Sequence, residues 1–179
     1  MNIRPAMPGA VAPAVSSDAF RGAMRQFSGG VSVITVGAGQ ERSGMTATSV
    51  SALALDPPTL IVCVNKQSST WPLLQRYRSF GVNVLHARHQ GIADRFAGRD
   101  GATGAQRYRE GRWMTLATGA CLLADALAAI DCELDEAIDR HSHAIVIGRV
   151  RAIHVGEGGE AALVYWRGRY GAFGSGEAI

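Results

Sequence analysis

An antiparallel β-barrel decorated with a few short helices is the fold class this sequence predicts. Three observations carry it. Strand-like segments, β-branched or continuously apolar, outnumber helix-like ones, which are short and lie between strands. No regular strand–helix–strand alternation runs along the chain, so a parallel doubly wound sheet is disfavoured. The length of 179 residues, without an internal repeat, suits one domain with a sizeable core.

The elements follow in order. Residues 1–17 read as a mobile tail, because Pro5, Pro8 and Pro13 interrupt any apolar stretch of a signal peptide; the domain is expected over 18–179. Ser17 caps a helix over 18–27, with Phe20, Met24 and Phe27 on one side, and Gly29-Gly30 stops it. VSVITV (31–36) is a strand, and GAGQERSG turns it into GMTATSVSAL (44–53) as a hairpin. Asp56-Pro57-Pro58 forces a break before TLIVCVN (59–65), which looks like a central strand. In KQSSTWPLLQRY, Ser68, Ser69 or Thr70 caps a short helix with Pro72 in its first turn. FGVNVLH (80–86) is a strand and GIADRFA (91–97) a short helix. The Gly- and Arg-rich stretch 98–112 is expected to be a mobile excursion. Strands follow around 130–134, 144–155 and 161–166.

Composition narrows the classes. Charged residues make up only 18% and glycines number 22, which suits a compact chain with tight turns. A mean hydropathy of +0.05 with so few charges suggests surface buried against another subunit. The net charge is +3, but the arginines are scattered and no dense basic run exists, so nucleic acid is not expected as a partner. RYREGRW (107–113) mixes basic and aromatic residues, yet one short segment is a thin case. No segment approaches the roughly 20 apolar residues of a membrane span, and no membrane partner is expected. Cys63, Cys121 and Cys132 lie far apart without a C-x-x-C, so neither a zinc site nor a disulfide framework is suggested. Cys63 and Cys132 read as buried free thiols, and a reducing cytoplasm fits.

The chemistry begins with GMTATSVSAL. Its β-branched residues say strand, but neither face carries the large apolar side chains a strand normally buries. Either it is a solvated edge, or its hydroxyls and main chain meet something flat and polar. Residues 65–70 end an apolar strand and open a helix. Free N–H groups, Lys66 and the hydroxyls of Ser68, Ser69 and Thr70 converge there, as helix caps or as an anion site suited to phosphate. VGEGGEA has the spacing of a dinucleotide fingerprint, but LVYWRGRYG follows where a helix is required, so it reads as a hairpin turn. His141 and His143 lack a third ligand for a metal, and no metal site is expected. Asp131, Glu133, Asp135, Glu136 and Asp139 alternate with Ile130, Cys132 and Leu134, as the solvated face of a strand. Tyr165, Trp166, Arg167 and Tyr170 are either residues of a last strand or a wall beside a planar ligand.

Taken in order, FSGGVSVIT, GMTATSVSALALDPPTLIVCVN, SSTWPLL, FGVNVL, DRFAGR, HAIVIGRV and LVYWRGRYG resemble the flavin-reductase-like, FMN-binding split-barrel family. The likeness runs from about Phe20 to Phe173 and is nearest to the small reductase components of two-component flavin-dependent monooxygenases. The resemblance implies a homodimer of six-stranded antiparallel Greek-key split β-barrels. It also implies an NAD(P)H:flavin oxidoreductase that takes hydride from NADH (or NADPH) and supplies reduced flavin to a separate monooxygenase acting on aromatic compounds. FAD is expected over FMN, with the arginine-rich excursion folding over an adenine. By the same resemblance Thr46, Ala47, Thr48, Ser49, Val50 and Ser51 run along the isoalloxazine. Ala47 and Ser49 allow close approach, and Thr48 and Ser51 bond the ring edges. Asn65, Lys66, Ser68, Ser69 and Thr70 hold the ribityl and phosphate, and Phe96 packs near the ligand. His143, Tyr165, Trp166, Arg167 and Gly168 meet the nicotinamide nucleotide. No acid–base residue is called for, since stacking of the two rings supplies the catalysis. The rival reading is a flavin- or haem-binding split-barrel protein without reductase turnover.

Overall fold

The computed structural model describes residues 14–156 and 161–174. Most of the expected N-terminal tail, and the centre of VGEGGEA, lie outside the described residues. The elements in chain order are α1 (Ser17–Met24), β1 (Gly29–Gly30), β2 (Ser32–Ala38), β3 (Glu41–Ala47), β4 (Ser51–Leu55) and β5 (Pro58–Asn65). Then come α2 (Thr70–Tyr77), β6 (Ser79–Val84), α3 (Gln90–Phe96), β7 (Trp113–Thr115) and β8 (Cys121–Leu123). β9 (Ala128–Arg140), β10 (His143–Val155), β11 (Ala162–Trp166) and β12 (Arg169–Phe173) complete the chain, with 3-10 turns at Ala87–His89 and Gly104–Tyr108. The protein is mainly β, its helices short and its pairings antiparallel.

One sheet of seven strands dominates, in the order β3-β2-β6-β9-β10-β5-β4. Its edge strands β3 and β4 are consecutive in the chain and separated only by residues 48–50. Three residues span about 10 Å at most, so the two edges lie close and the sheet curls back on itself. A smaller sheet, β1-β11-β12, carries the C-terminal hairpin. Period-two alternation divides the interior in two. Val33 of β2 joins Leu85, Phe96, Leu122 and Leu163 on one side, while Ile34 and Val36 join Val62, Leu74, Phe80 and Val146 on the other.

Several sequence expectations are corrected. Ser16, not Ser17, caps α1, accepting from Ala19 N at 3.2 Å. The helix stops at Met24, and its apolar residues are not buried: Phe20 is 61% exposed and Phe27 70%. The segment 44–53 is two strands rather than one. Excursion 98–112 is packed, with Tyr108 and Ala102 buried, the Tyr108 hydroxyl donating to Ser43 O and Arg107 to Gly44 O. Two of its polar side chains are thus tied to the main chain of β3. Asp131 is buried because β9 is covered on both faces there: Cys132 enters one half of the core, and Asp131, on the opposite face with Ala129, meets Thr118. Its carboxylate accepts from Thr118 N at 2.7 Å and from the Thr118 hydroxyl. Cys63 is exposed. The strands on either side of VGEGGEA, β10 and β11, belong to different sheets, and the C-terminal hairpin is β11–β12.

Candidate functional site

The crossing between β3 and β4 is lined by small hydroxyl residues. β3 pairs with β2 and β4 with β5, on opposite edges, so residues 48–50 cross from one edge to the other outside any ladder. Thr48 and Ser49 are exposed there, and the Thr48 hydroxyl has no hydrogen bond among the described residues. Ser49 Oγ accepts from Cys63 N at 3.2 Å, fixing the crossing to β5. Val50 turns inward against the core. Ala47 is buried, Thr46 Oγ1 donates to Ala93 O at 2.6 Å, and Ser51 lies exposed opposite Ile61.

A continuous seam extends from this crossing in both directions. On one side a Cβ at Gly29 would lie 3.0 Å from Thr48 Cβ, and Gly29 pairs with Tyr165. On the other, Ser49 touches Cys63, and two residues further along β5 Asn65 pairs with His143. The long-range pairings therefore bring together sites that lie about 100 residues apart in sequence.

Two hollows open on the seam. The larger, of about 540 Å³, lies between the end of α1 and the β11–β12 turn, with Thr48 and Ser49 in its wall. The smaller, of about 200 Å³, is walled by Thr46, Ala47, Thr48, Arg99, Tyr165 and Tyr170. The Arg99 guanidinium lies 5.1 Å over the Tyr170 ring and is paired with Asp94 at 2.6 Å. Burial pushes the Tyr170 phenol up, against the pull of Arg99, so it is a neutral donor at neutral pH.

At the far end of the seam the 65–70 turn is held by its own side chains. Asn65 Oδ1 accepts from Gln67 N at 2.9 Å, and Ser68 Oγ donates to Asn65 O at 2.7 Å. Ser69 Oγ lies 2.8 Å from Ser43 Oγ, and Lys66 Nζ lies 3.4 Å from Asp139. Capping, one reading of these hydroxyls, is not what they do: the α2 N-cap Ser69 makes no side-chain cap bond. Thr70 Oγ1 is buried without a hydrogen-bond partner. An orphaned donor at the positive end of a helix is what an anionic oxygen would satisfy.

Phe96 packs under β3 at Gly44. It is 2% exposed, in the core against Tyr108 and Trp113. Arg167 lines the larger hollow, and both it and Trp166 are bonded to Gln26. Sequence reasoning missed the end of α1, where Arg21, Met24, Arg25 and Phe27 line that hollow. The signal present was Arg21 and Arg25 four residues apart, a like-charged pair on one helix face.

The chain is thus a mainly β protein with two hollows against residues 46–49 and, past Asn65, an orphaned buried hydroxyl at the start of α2. Comparison with known proteins then fixes the family: the flavin reductase like domain matches residues 24–174, and the chain belongs to that family. It is 40% identical over 153 residues to FMN reductase (NADH) RutF 2 of Methylorubrum extorquens (strain PA1), covering 84% of this chain and 86% of that protein. It is similar to BorF, the flavin reductase component of a bacterial two-component tryptophan halogenase. The TM-score is 0.80 at 35% identity, over 89% of this chain and 99% of that one. The NADH:FAD oxidoreductase SgcE6 of Streptomyces globisporus C-1027, solved with NAD and FAD fragments, matches with TM-score 0.78 at 28% identity, over 90% of this chain and 97% of that one. No helix among the described residues is long and apolar enough to cross a membrane.

Proposed function

We propose that this protein is an NADH:flavin oxidoreductase that releases reduced flavin to a separate flavin-dependent monooxygenase. The observation that carries the reading is the seam, with a free hydroxyl at Thr48 and an orphaned buried hydroxyl at Thr70.

When bound, the flavin supplies a hydride acceptor at N5 for the donor carbon of a dihydronicotinamide. The residues of the chain bind and orient. Thr48, Ser51 and the main chain of 46–51 offer hydrogen bonds to the ring edge, and Ala47 and Ser49 leave room for close approach. Asn65, Lys66, Ser68, Ser69 and Thr70 receive the tail, with Thr70 Oγ1 donating to a phosphate oxygen. His143, beside Asn65, and the Tyr165 to Gly168 turn border the donor. Donors along the crossing favour the negative charge that reduction adds, so no side chain is required as an acid or base.

The ring, ribityl and first phosphate assigned here are common to FMN and FAD, and either serves as substrate. Relatives named as FMN reductases and a neighbour named as an NADH:FAD oxidoreductase support that breadth. Counting β3 and β4 as one interrupted strand makes the large sheet a six-stranded split barrel, the unit of a homodimer and a single domain from residue 18. The reductase components among its structural neighbours support a partner oxygenase.

Steady-state NADH oxidation with each flavin tests the reading. Turnover that requires added flavin supports it. Tight flavin binding with no oxidation of NADH or NADPH would make this a flavin-binding protein without turnover.

A further inference from the structure

We propose that Arg25, at the end of α1, forms with Arg167 a clamp for the diphosphate of the dinucleotide hydride donor. The proposal rests on the reductase reading above and assigns that donor a second, separate anion site.

The clamp is built from two distant pieces of chain. Trp166 Nε1 donates to Gln26 O at 3.1 Å, and Arg167 donates to Gln26 Oε1 through Nε at 3.0 Å and Nη2 at 2.5 Å. The hairpin tip is thereby locked to the residue that follows Arg25. Arg167 lies at φ +49°, in the left-handed region, followed by Gly168 at φ +84°. Such a two-residue turn ordinarily takes Asn, Asp or Gly at its first position. An arginine kept there against its backbone preference, with its guanidinium 4.5 Å over the Trp166 ring, has its side chain aimed and held.

Arg25 approaches the same point, its Nη2 lying 3.8 Å from where a Cβ on Gly168 would stand. Its guanidinium has no ion pair among the described residues, while Arg21, one turn back on the same wall, is paired with Asp18 at 2.6 Å. No acidic residue lines the hollow. Arg167 spends Nε and Nη2 on Gln26 and keeps Nη1 for a ligand, while the unpaired Arg25 offers the forked donors that bind phosphate oxygens. Met24 and Phe27 supply apolar surface beside them.

The position separates this clamp from the flavin's phosphate. The orphaned Thr70 hydroxyl lies beyond Asn65 and His143, at the opposite end of the seam from Gly29 and Tyr165. Two anion sites flanking one ring crossing suit two phosphate-bearing ligands, and the one at the α1 end falls to the donor.

The test compares NADH with 1-benzyl-1,4-dihydronicotinamide, a hydride donor without phosphate, in wild type and Arg25→Gln. The expected result is a fall of about tenfold in kcat/KM for NADH, carried by KM, with the phosphate-free donor changed by less than about twofold. Arg25→Lys recovers part of the loss, because it keeps the charge without the fork. An equal fall for both donors, or none for NADH, overturns the clamp. So does a rise in KM for FMN without one for riboflavin, which would place the flavin's phosphate there. Absence of turnover in wild type would refute the reductase reading instead. Calorimetric titration with NADH still reads the clamp in that case: a Kd about tenfold weaker in Arg25→Gln supports it, and equal affinity or no binding to wild type overturns it.

Discussion

Thr48 is exposed and its hydroxyl serves no bond of the fold, so its removal isolates a contribution to the ligand. Thr48→Ala is expected to leave stability within about 0.5 kcal/mol. It should weaken flavin binding by about five- to tenfold, as the loss of one hydrogen bond worth roughly 1 kcal/mol would. Hydride transfer at saturating flavin should change far less. A hundredfold slower transfer with unchanged affinity would show that Thr48 acts in the reaction instead. Gly44 makes the complementary case. A Cβ there would run into Ile34 O and the Phe96 ring, neither free to yield. Gly44→Ala should cost about 2–3 kcal/mol, read as a fall in Tm of roughly 5–10 °C by calorimetry. The small hydroxyls of 46–51 were legible in the sequence as unusual for a strand, which marks either a solvated edge or a surface for something flat and polar. The burial of Phe96 was not: its neighbour Gly44 lies 52 positions back, and only tertiary packing seats the ring against it.

Among the elements, strands were legible because apolar runs and Pro breaks mark them locally. What escaped was set by partners far along the chain. Asp131 is buried because Thr118 packs over its face of β9, which no local pattern reports. The arginine-rich excursion reads as mobile from composition, but Tyr108 and Arg107 pin it to carbonyls of β3. The 3-10 turn at Ala87–His89 offers a test at this scale. His89 Nε2 lies 3.3 Å from Asp125 Oδ2, and the imidazole is buried. Burial holds its pKa below the ordinary value, against the upward pull of Asp125. The folded protein therefore keeps His89 neutral while the unfolded chain takes up a proton as pH falls through about 6.5. Stability is fully present above that pH and is lost on acidification toward the lower, folded value. Asp125 adds to the loss at lower pH. Burial raises its pKa, but His89 and Arg88 outweigh that and leave it lowered. Denaturant midpoints should fall between pH 7.5 and 5.5 and fall less in His89→Leu. A midpoint that rose on acidification would contradict the assignment.

At the scale of the whole molecule, one chain leaves unusual apolar surface in view. Leu55 is 88% exposed, Phe173 72% and Val155 70%, beside the bare stripe of α1. Single exposed residues are ordinary, but several on one small chain point to burial in an assembly. Sedimentation should return a mass about twice the chain's 18.9 kDa; a monomer at micromolar concentration would contradict the homodimer. The sequence already hinted at this through its low charge and even hydropathy, whereas the strand order and the hollow between α1 and the last hairpin depend on the fold. The central claim is hydride transfer from NADH to flavin within the seam. The most direct measurement is anaerobic stopped-flow mixing of the flavin-loaded protein with NADH. Loss of flavin absorbance near 450 nm, matched mole for mole by loss of NADH at 340 nm, is the predicted result. Flavin that stays oxidised in the presence of excess NADH would contradict it.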